Sequence, residues 1–178
     1  MSWLFNHRLK KDYLLFYINN KQHSKNTTIQ VFGLNVVFDM AADLALKNVD
    51  NACETAEEFT RLFYKHLDNS RHLTSKLYLD AGLLVWNGNG INGNAKIQKF
   101  LLDLPPSSHY VKTLDAQPVS ENFMPDNLTY LIQACGDVTY QNDDVKKPFQ
   151  ETFVIVAVEG KWKIATDCYR LQVPYNCS

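Results

Sequence analysis

The chain has 178 residues, 46% of them apolar and 21% charged, the balance of one globular domain with a real core rather than of a disordered chain. A formal net charge of −1 excludes whole-molecule attraction to nucleic acid or to an acidic membrane. No stretch approaches the roughly 20 apolar residues of a membrane-crossing helix, and Cys53, Cys135, Cys168 and Cys177 form neither a C-x-x-C pair nor a zinc-ligand spacing with histidine.

Residues 1–39 carry more Lys and Arg than Asp, a polar stretch from Asn19 to Thr28, and no sustained period. They read as an appendage outside the domain, with a short helix near Leu9–Ile18, and the domain itself reads as residues 40–178. From Met40 the pattern sharpens. Leu44, Val49, Ala52, Cys53, Ala56, Phe59, Phe63 and Leu67 recur at steps of three and four, one apolar stripe along a helix. Asp68-Asn69-Ser70 should end that helix, because their side chains compete for backbone hydrogen bonds. A second short helix is expected over Arg71–Leu77.

Leu83-Leu84-Val85-Trp86 reads as a strand, followed by three Asn-Gly steps between Asn87 and Gly93. Such steps supply the positive φ that tight turns require. Asn94 is placed to cap a helix running to Leu104, which Pro105-Pro106 ends. Four strands are then expected near 109–119, 127–140, 149–159 and 161–173, the last two joined by a tight Glu159-Gly160 hairpin. Helices first and consecutive strands after predict an α+β fold with an antiparallel sheet.

Gly88-Asn89-Gly90-Ile91-Asn92-Gly93 matches G-x-G-x-x-G, and Asp115 follows at a suitable distance. The dinucleotide reading is rejected, because that fingerprint belongs to alternating β-α-β units and none follows here. No cofactor or metal is assigned.

The helix around Asn51–Asp68, then Leu84-Val85-Trp86-Asn87-Gly88-Asn89, Gln117-Pro118-Val119, and Trp162-Lys163-Ile164-Ala165 with Asp167-Cys168-Tyr169-Arg170 resemble in order the nuclear transport factor 2-like family. The resemblance covers Met40 to Gln172. It implies a strongly bent antiparallel sheet packed on N-terminal helices as a cone. The family includes isomerases and dehydratases, which use the cone interior, and transport proteins, which pair through the outer sheet face, so fold alone does not choose between them.

An enzyme would need a base and an electrophile in the cone. Asp80, Asp115 and Asp167 are possible bases and Tyr78, Tyr110 and Tyr169 possible partners, but none falls into a recognised spacing, and no histidine is read into the late strands. The import branch, a homodimer that carries Ran-GDP, would have an acid after the cavity-mouth tryptophan, where this chain has Asn87; Asp143 and Asp144 fall near another acidic position of that branch. The branch that forms the small, non-catalytic subunit of a heterodimeric nuclear mRNA export receptor fits better. There the arginine of the Asp-Cys-aromatic-Arg motif, matched by Arg170, reaches an aspartate on the large subunit.

In β-alternation Arg170 shares a mostly apolar phase with Trp162, Ile164, Thr166 and Cys168, where a lone arginine is costly unless a carboxylate meets it. Phe149, Phe153 and Ile155 fall in one phase of their strand and Val154, Val156 and Val158 in the other, so both faces read as apolar. The one turned from the helices must be covered, by a loop, by the N-terminal appendage or, as the resemblance implies, by a partner's sheet. The resemblance thus implies an interface of Arg170, Cys168, Phe153, Ile155 and Asp167 with the large receptor subunit. Ran and nucleoporins are the further partners the resemblance brings in, with no direct nucleic acid or membrane contact. Shuttling between nucleus and cytoplasm is the implied location.

Overall fold

The computed structural model describes residues 34–120, 127–141 and 145–172, with side chains from residue 46. The chain divides between Lys47 and Asn48, and the unit that begins at Asn48 holds the sheet. The short helix expected near Leu9–Ile18, the Leu44 side chain, Cys177, and Asp143 with Asp144 lie outside the described residues.

Helix α1 (Leu34–Asn69) passes through Met40 without a break. Ala52, Ala56, Phe59, Phe63 and Leu67 are buried along it, joined by Thr60 and Tyr64 on the adjoining rows. Its end is closed by side chains as well as by backbone. Ser70 N donates to His66 O at 2.8 Å, Asn69 Nδ2 to Lys65 O at 3.3 Å and Arg71 Nε to Leu67 O at 2.9 Å, so the last carbonyls are not left bare.

The second short helix is a 3-10 helix, Arg71–Leu77. Strand β1 (Tyr78–Trp86) follows, and Asn87 (φ 50°) and Gly88 (φ 88°) turn it directly into β2 (Asn89–Asn92). Of the three Asn-Gly steps only the first is a hairpin turn. Gly90 lies within β2, and Gly93 (φ 92°) occupies the cap position of helix α2 (Asn94–Asp103). The expected cap, Asn94, instead sends Nδ2 to Ser75 O at 2.7 Å, tying α2 to the 3-10 helix.

Strands β3 (Ser107–Pro118), β4 (Thr129–Tyr140), β5 (Lys147–Val158) and β6 (Lys161–Leu171) complete the described elements. Glu159 (φ 50°) and Gly160 (φ 72°) form the anticipated two-residue hairpin. Among the described residues six strands make one curved sheet in the order β2-β1-β6-β5-β4-β3. All neighbours are antiparallel except β1 and β6, which run parallel, so the first hairpin docks beside the last strand.

Besides a register shift between Tyr78 and Leu83 where β1 meets β6, two irregularities bend the sheet. The β3–β4 register shifts between Val111 and Thr113, and the β5–β6 register steps over Ala165 between Ile164 and Thr166. At the first, a Cβ on Gly136 would lie 2.1 Å from Tyr110 O, so only glycine fits there.

The second irregularity corrects the strand phases. The extra residue flips the alternation of β6, so Ile164, Asp167 and Tyr169 point inward while Thr166, Cys168 and Arg170 are on the outer side. On β5, Phe149, Glu151, Phe153 and Ile155 are the inward set. Phe153 packs edge-on against Phe59 (5.8 Å) and Phe63 (4.8 Å) of α1, which makes it core.

Candidate functional site

Two places in this architecture gather chemistry: the interior, against α1, and the outer face of the sheet. The interior holds two carboxyl groups. Glu151 (0% exposed) sits between Phe149 and Phe153 on β5, and Asp167 (1%) lies on the same face of β6. Tyr64 of α1 donates its hydroxyl to Glu151 Oε2 at 2.6 Å, and Tyr78 of β1 donates to Asp167 Oδ2. Glu151 Oε1 and Asp167 Oδ1 have no hydroxyl or amide partner.

Loss of water pushes both carboxyls up. Glu151 rises well above the ordinary carboxylate range through burial and the adjacent Asp167, and Asp167 is pushed up by burial to about 7 despite the Tyr78 hydrogen bond. A single proton held between them would satisfy both remaining oxygens and leave one charge rather than two.

A second cluster lies where α1 ends. Asp68 accepts from Ser107 Oγ (2.9 Å) and His109 N (2.8 Å), and its Oδ1 lies 2.7 Å from His109 Nδ1. Burial alone would raise Asp68, but the His109 and Ser107 hydrogen bonds outweigh it and hold the carboxyl below its usual range. His109 Nε2 is 3.3 Å from the Tyr169 hydroxyl. Tyr169 in turn stacks on Trp86 at 3.8 Å and 5° between planes, and on Phe149 at 5.4 Å. The histidine missing from the sequence reading is thus present, with its side chain only 1% exposed.

Tyr78 and Asp167, both considered as catalytic candidates, do come together, whereas Asp80 and Asp115 are exposed and Tyr110 stands 70% exposed on the outer face. The rings of Phe63, Phe149, Phe153 and Tyr169 occupy the space around the two carboxyls. What they surround is a buried carboxyl pair, each member held by one tyrosine hydroxyl and each with one oxygen left unserved. Glu151 escaped the sequence reading, although an acid between Phe149 and Phe153 in an inward strand phase was the available signal.

Burial separates the five expected interface residues. Phe153 and Ile155 are 0% exposed and Asp167 is 1%, all facing α1, so they are not surface and the interface assignment is corrected for these three. The cause is the phase of β5 and the extra residue in β6, which a strict alternation does not anticipate. Arg170 and Cys168 remain exposed on the outer face.

That face is not the apolar patch expected. Gln150 lies opposite Arg170, Thr152 opposite Cys168 and Val154 opposite Thr166, and β4 continues the rows with Cys135, Gln133 and Leu131. β3 adds Thr113, Asp115 and Gln117 to these rows, so the face is a mixed surface of small, amide and aliphatic side chains with few charges, the exposed Asp115 opposite Gln133 among them. Lys112 and Asp137 form a 2.6 Å ion pair near its β3 edge. Among the described residues Arg170 has no ion-pair partner; its guanidinium lies beside Gly88 in the β1–β2 turn. Asn87 accepts from Leu171 N at 2.8 Å, which pins that turn to the end of β6.

A curved sheet packed on a long helix, with the core between them and an outer face left open, is the nuclear transport factor 2-like arrangement. The nuclear transport factor 2 (NTF2) domain matches residues 55–171, and the chain belongs to that family. It is 36% identical over 128 residues to NTF2-related export protein 1 of Bos taurus, covering 70% of this chain and 91% of that protein. It is 37% identical over 138 residues to NTF2-related export protein 2 of Homo sapiens, covering 75% of this chain and 96% of the relative. A solved nuclear transport factor 2 from Cryptosporidium parvum superposes with a TM-score of 0.60 at 21% identity, over 67% of this chain and 93% of that one.

Proposed function

We propose that this chain is the small, non-catalytic subunit of a heterodimeric nuclear mRNA export receptor, and that it steadies the large subunit through the outer face of its sheet. The observation that carries this reading is Arg170: an exposed guanidinium with no ion-pair partner among the described residues, set on a sparsely charged face in the Asp167-Cys168-Tyr169-Arg170 run. A face with few charges can meet another sheet without stranding many of them, and one arginine can then fix its register on a partner carboxylate. The names of the relatives point the same way, and the crowded aromatic interior supports a binding role over catalysis in the cone.

Passage between nucleus and cytoplasm belongs to the same proposal, as does contact of the assembled receptor with nucleoporins. Residues 1–39 are proposed to stand outside the folding unit. The second reading, a homodimeric import factor for Ran-GDP, is disfavoured at Asn87. That side chain is neutral and already committed to Leu171 N, so it offers a cationic partner no carboxylate.

The test is affinity capture from nuclear extract with the full chain as bait. The proposal requires a larger protein carrying a related domain, recovered in stoichiometric amount and lost on Arg170→Ala. Recovery of Ran as the main partner would favour the second reading instead.

A further inference from the structure

At the opposite end of β6 from Arg170, α1, the 3-10 helix and β6 enclose an open groove of about 370 Å³. Its floor is apolar: Phe59, Leu62, Leu77 and Trp162. Leu62 is 42% exposed there, and the Trp162 ring is braced from behind by Tyr130 at 4.7 Å. A half-exposed leucine beside a braced indole is the kind of surface that gains when another apolar group covers it.

The rim is basic. Lys76, Lys161 and Lys163 border the groove, with Glu58 as the one acid in its lining. Among the described residues none of these lysines takes part in an ion pair. Lys163 Nζ donates to the backbone carbonyl of Lys76, which holds the Lys163 ammonium against the 3-10 helix on the facing wall. In a chain with a net charge of −1 this is a local concentration of positive charge around an apolar floor.

We propose that this groove docks a short acidic peptide segment of another protein, one apolar side chain seated on Trp162 and Leu62 and flanking carboxylates met by the lysines. The volume suits one large side chain and a few residues of backbone. Nucleic acid fits the place less well, since Glu54, Glu57 and Glu58 on α1 and Glu159 in the hairpin interrupt any longer basic track. From Lys163 to Arg170 the strand covers about 23 Å at roughly 3.3 Å per residue. The groove is therefore a second contact, able to operate while the sheet face is occupied, and the proposal does not rest on that face.

The experiment uses the full chain and four labelled octapeptides, each with a single Phe, Trp, Leu or Met between acidic residues. Fluorescence anisotropy should show saturable binding of at least one, weakening as salt is raised from about 50 to 500 mM. The Trp162 indole N–H resonance should move with the same affinity. Lys76→Glu with Lys161→Glu should weaken binding at least tenfold, and Leu62→Ser should weaken it while leaving the melting curve in place, since all three side chains are exposed. Replacing the anchor by Ser should abolish binding. The proposal is overturned if no peptide saturates, if the charge-reversed protein binds undiminished, or if a lysine-flanked peptide binds equally well. A concentration-dependent dimer dissociated by the same substitutions would give the groove to a second copy and overturn it too.

Discussion

Glu151 and Asp167 lie side by side under the sheet, each held by one tyrosine and each left with one oxygen that no hydroxyl or amide serves. The pairing makes stability depend on pH with a definite sign. Burial raises Asp167 from 3.8 to about 7 and raises Glu151 as well, so the folded state binds protons that the unfolded state has released. Stability from this pair is full below the unfolded carboxylate range and is lost as pH rises toward 7, by about 1.4 kcal/mol per pH unit for each proton involved. Asp68, held below its usual range, contributes the opposite slope and only in more acid solution. Urea unfolding at intervals from pH 5 to 8 should show falling stability, and Asp167→Asn should flatten the fall. A wild-type curve that rises across this window would contradict the shared-proton arrangement.

Gly136 and Gly90 should respond in opposite ways to alanine. At Gly136 the new methyl meets Tyr110 O at 2.1 Å and the Phe149 ring at 3.0 Å, in the bulged part of β3–β4. The strand must shift, at a cost on the order of 2 kcal/mol or more. Nothing lies within 4 Å of a Cβ on Gly90, so Gly90→Ala should be nearly neutral. Denaturant midpoints of the two variants decide it. Calorimetry with NAD, NADP, ATP and GTP should show no heat in either, since Gly88 and Gly93 serve a hairpin turn and a helix cap.

How far the sequence could be read depended on how local each signal was. The stripe from Ala52 to Leu67 and the Glu159-Gly160 turn are set by spacing and φ preference within a few residues, and both stand as expected. The parallel β1–β6 pairing joins residues more than eighty positions apart, and nothing local marks which strand the first hairpin will choose. One unpaired residue, Ala165, decides whether Asp167 or Cys168 faces the core, and alternation counted straight through it gives the wrong answer for Asp167. His109 went unnoticed because its meaning comes from Asp68, forty-one positions away at the end of α1. Arg170 and Cys168 face outward because of Ala165, a placement the resemblance implies and alternation alone does not.

Phe153→Ala tests that reassignment. The ring is fully buried against Phe59 and Phe63, so its loss should cost about 3–5 kcal/mol of folding stability. Any effect on partner binding should follow the folded fraction, measured by circular dichroism. A variant that folds normally and fails only in binding would return Phe153 to the interface.

Removing residues 1–39 should leave unfolding cooperative and the melting temperature within a few degrees, because among the described side chains the buried stripe of α1 begins at Ala52. Differential scanning calorimetry of the two lengths is the measurement. A larger drop would show that the segment is part of the folding unit.

Arg170 carries the functional proposal and admits the sharpest test. In the isolated chain its guanidinium is exposed and has no carboxylate partner among the described residues, so nothing in the fold depends on its charge. Arg170→Ala should therefore leave the circular dichroism spectrum and melting temperature unchanged. In the proposed heterodimer the same group would be buried between two sheets, and its removal would strand a carboxylate on the partner in a desolvated interface. That loss is about 3–5 kcal/mol, a weakening of some hundredfold or more. Arg170→Lys restores the charge but not the planar two-pronged contact, and should recover part of the affinity only. Cys168→Ser, one pair of positions along the same outer row, should change binding far less, because a small neutral group replaces another. Titration of each variant against the related domain of the large receptor subunit gives the answer. Wild-type affinity in Arg170→Ala would make Arg170 a solvated surface residue and remove the observation on which the heterodimer assignment stands.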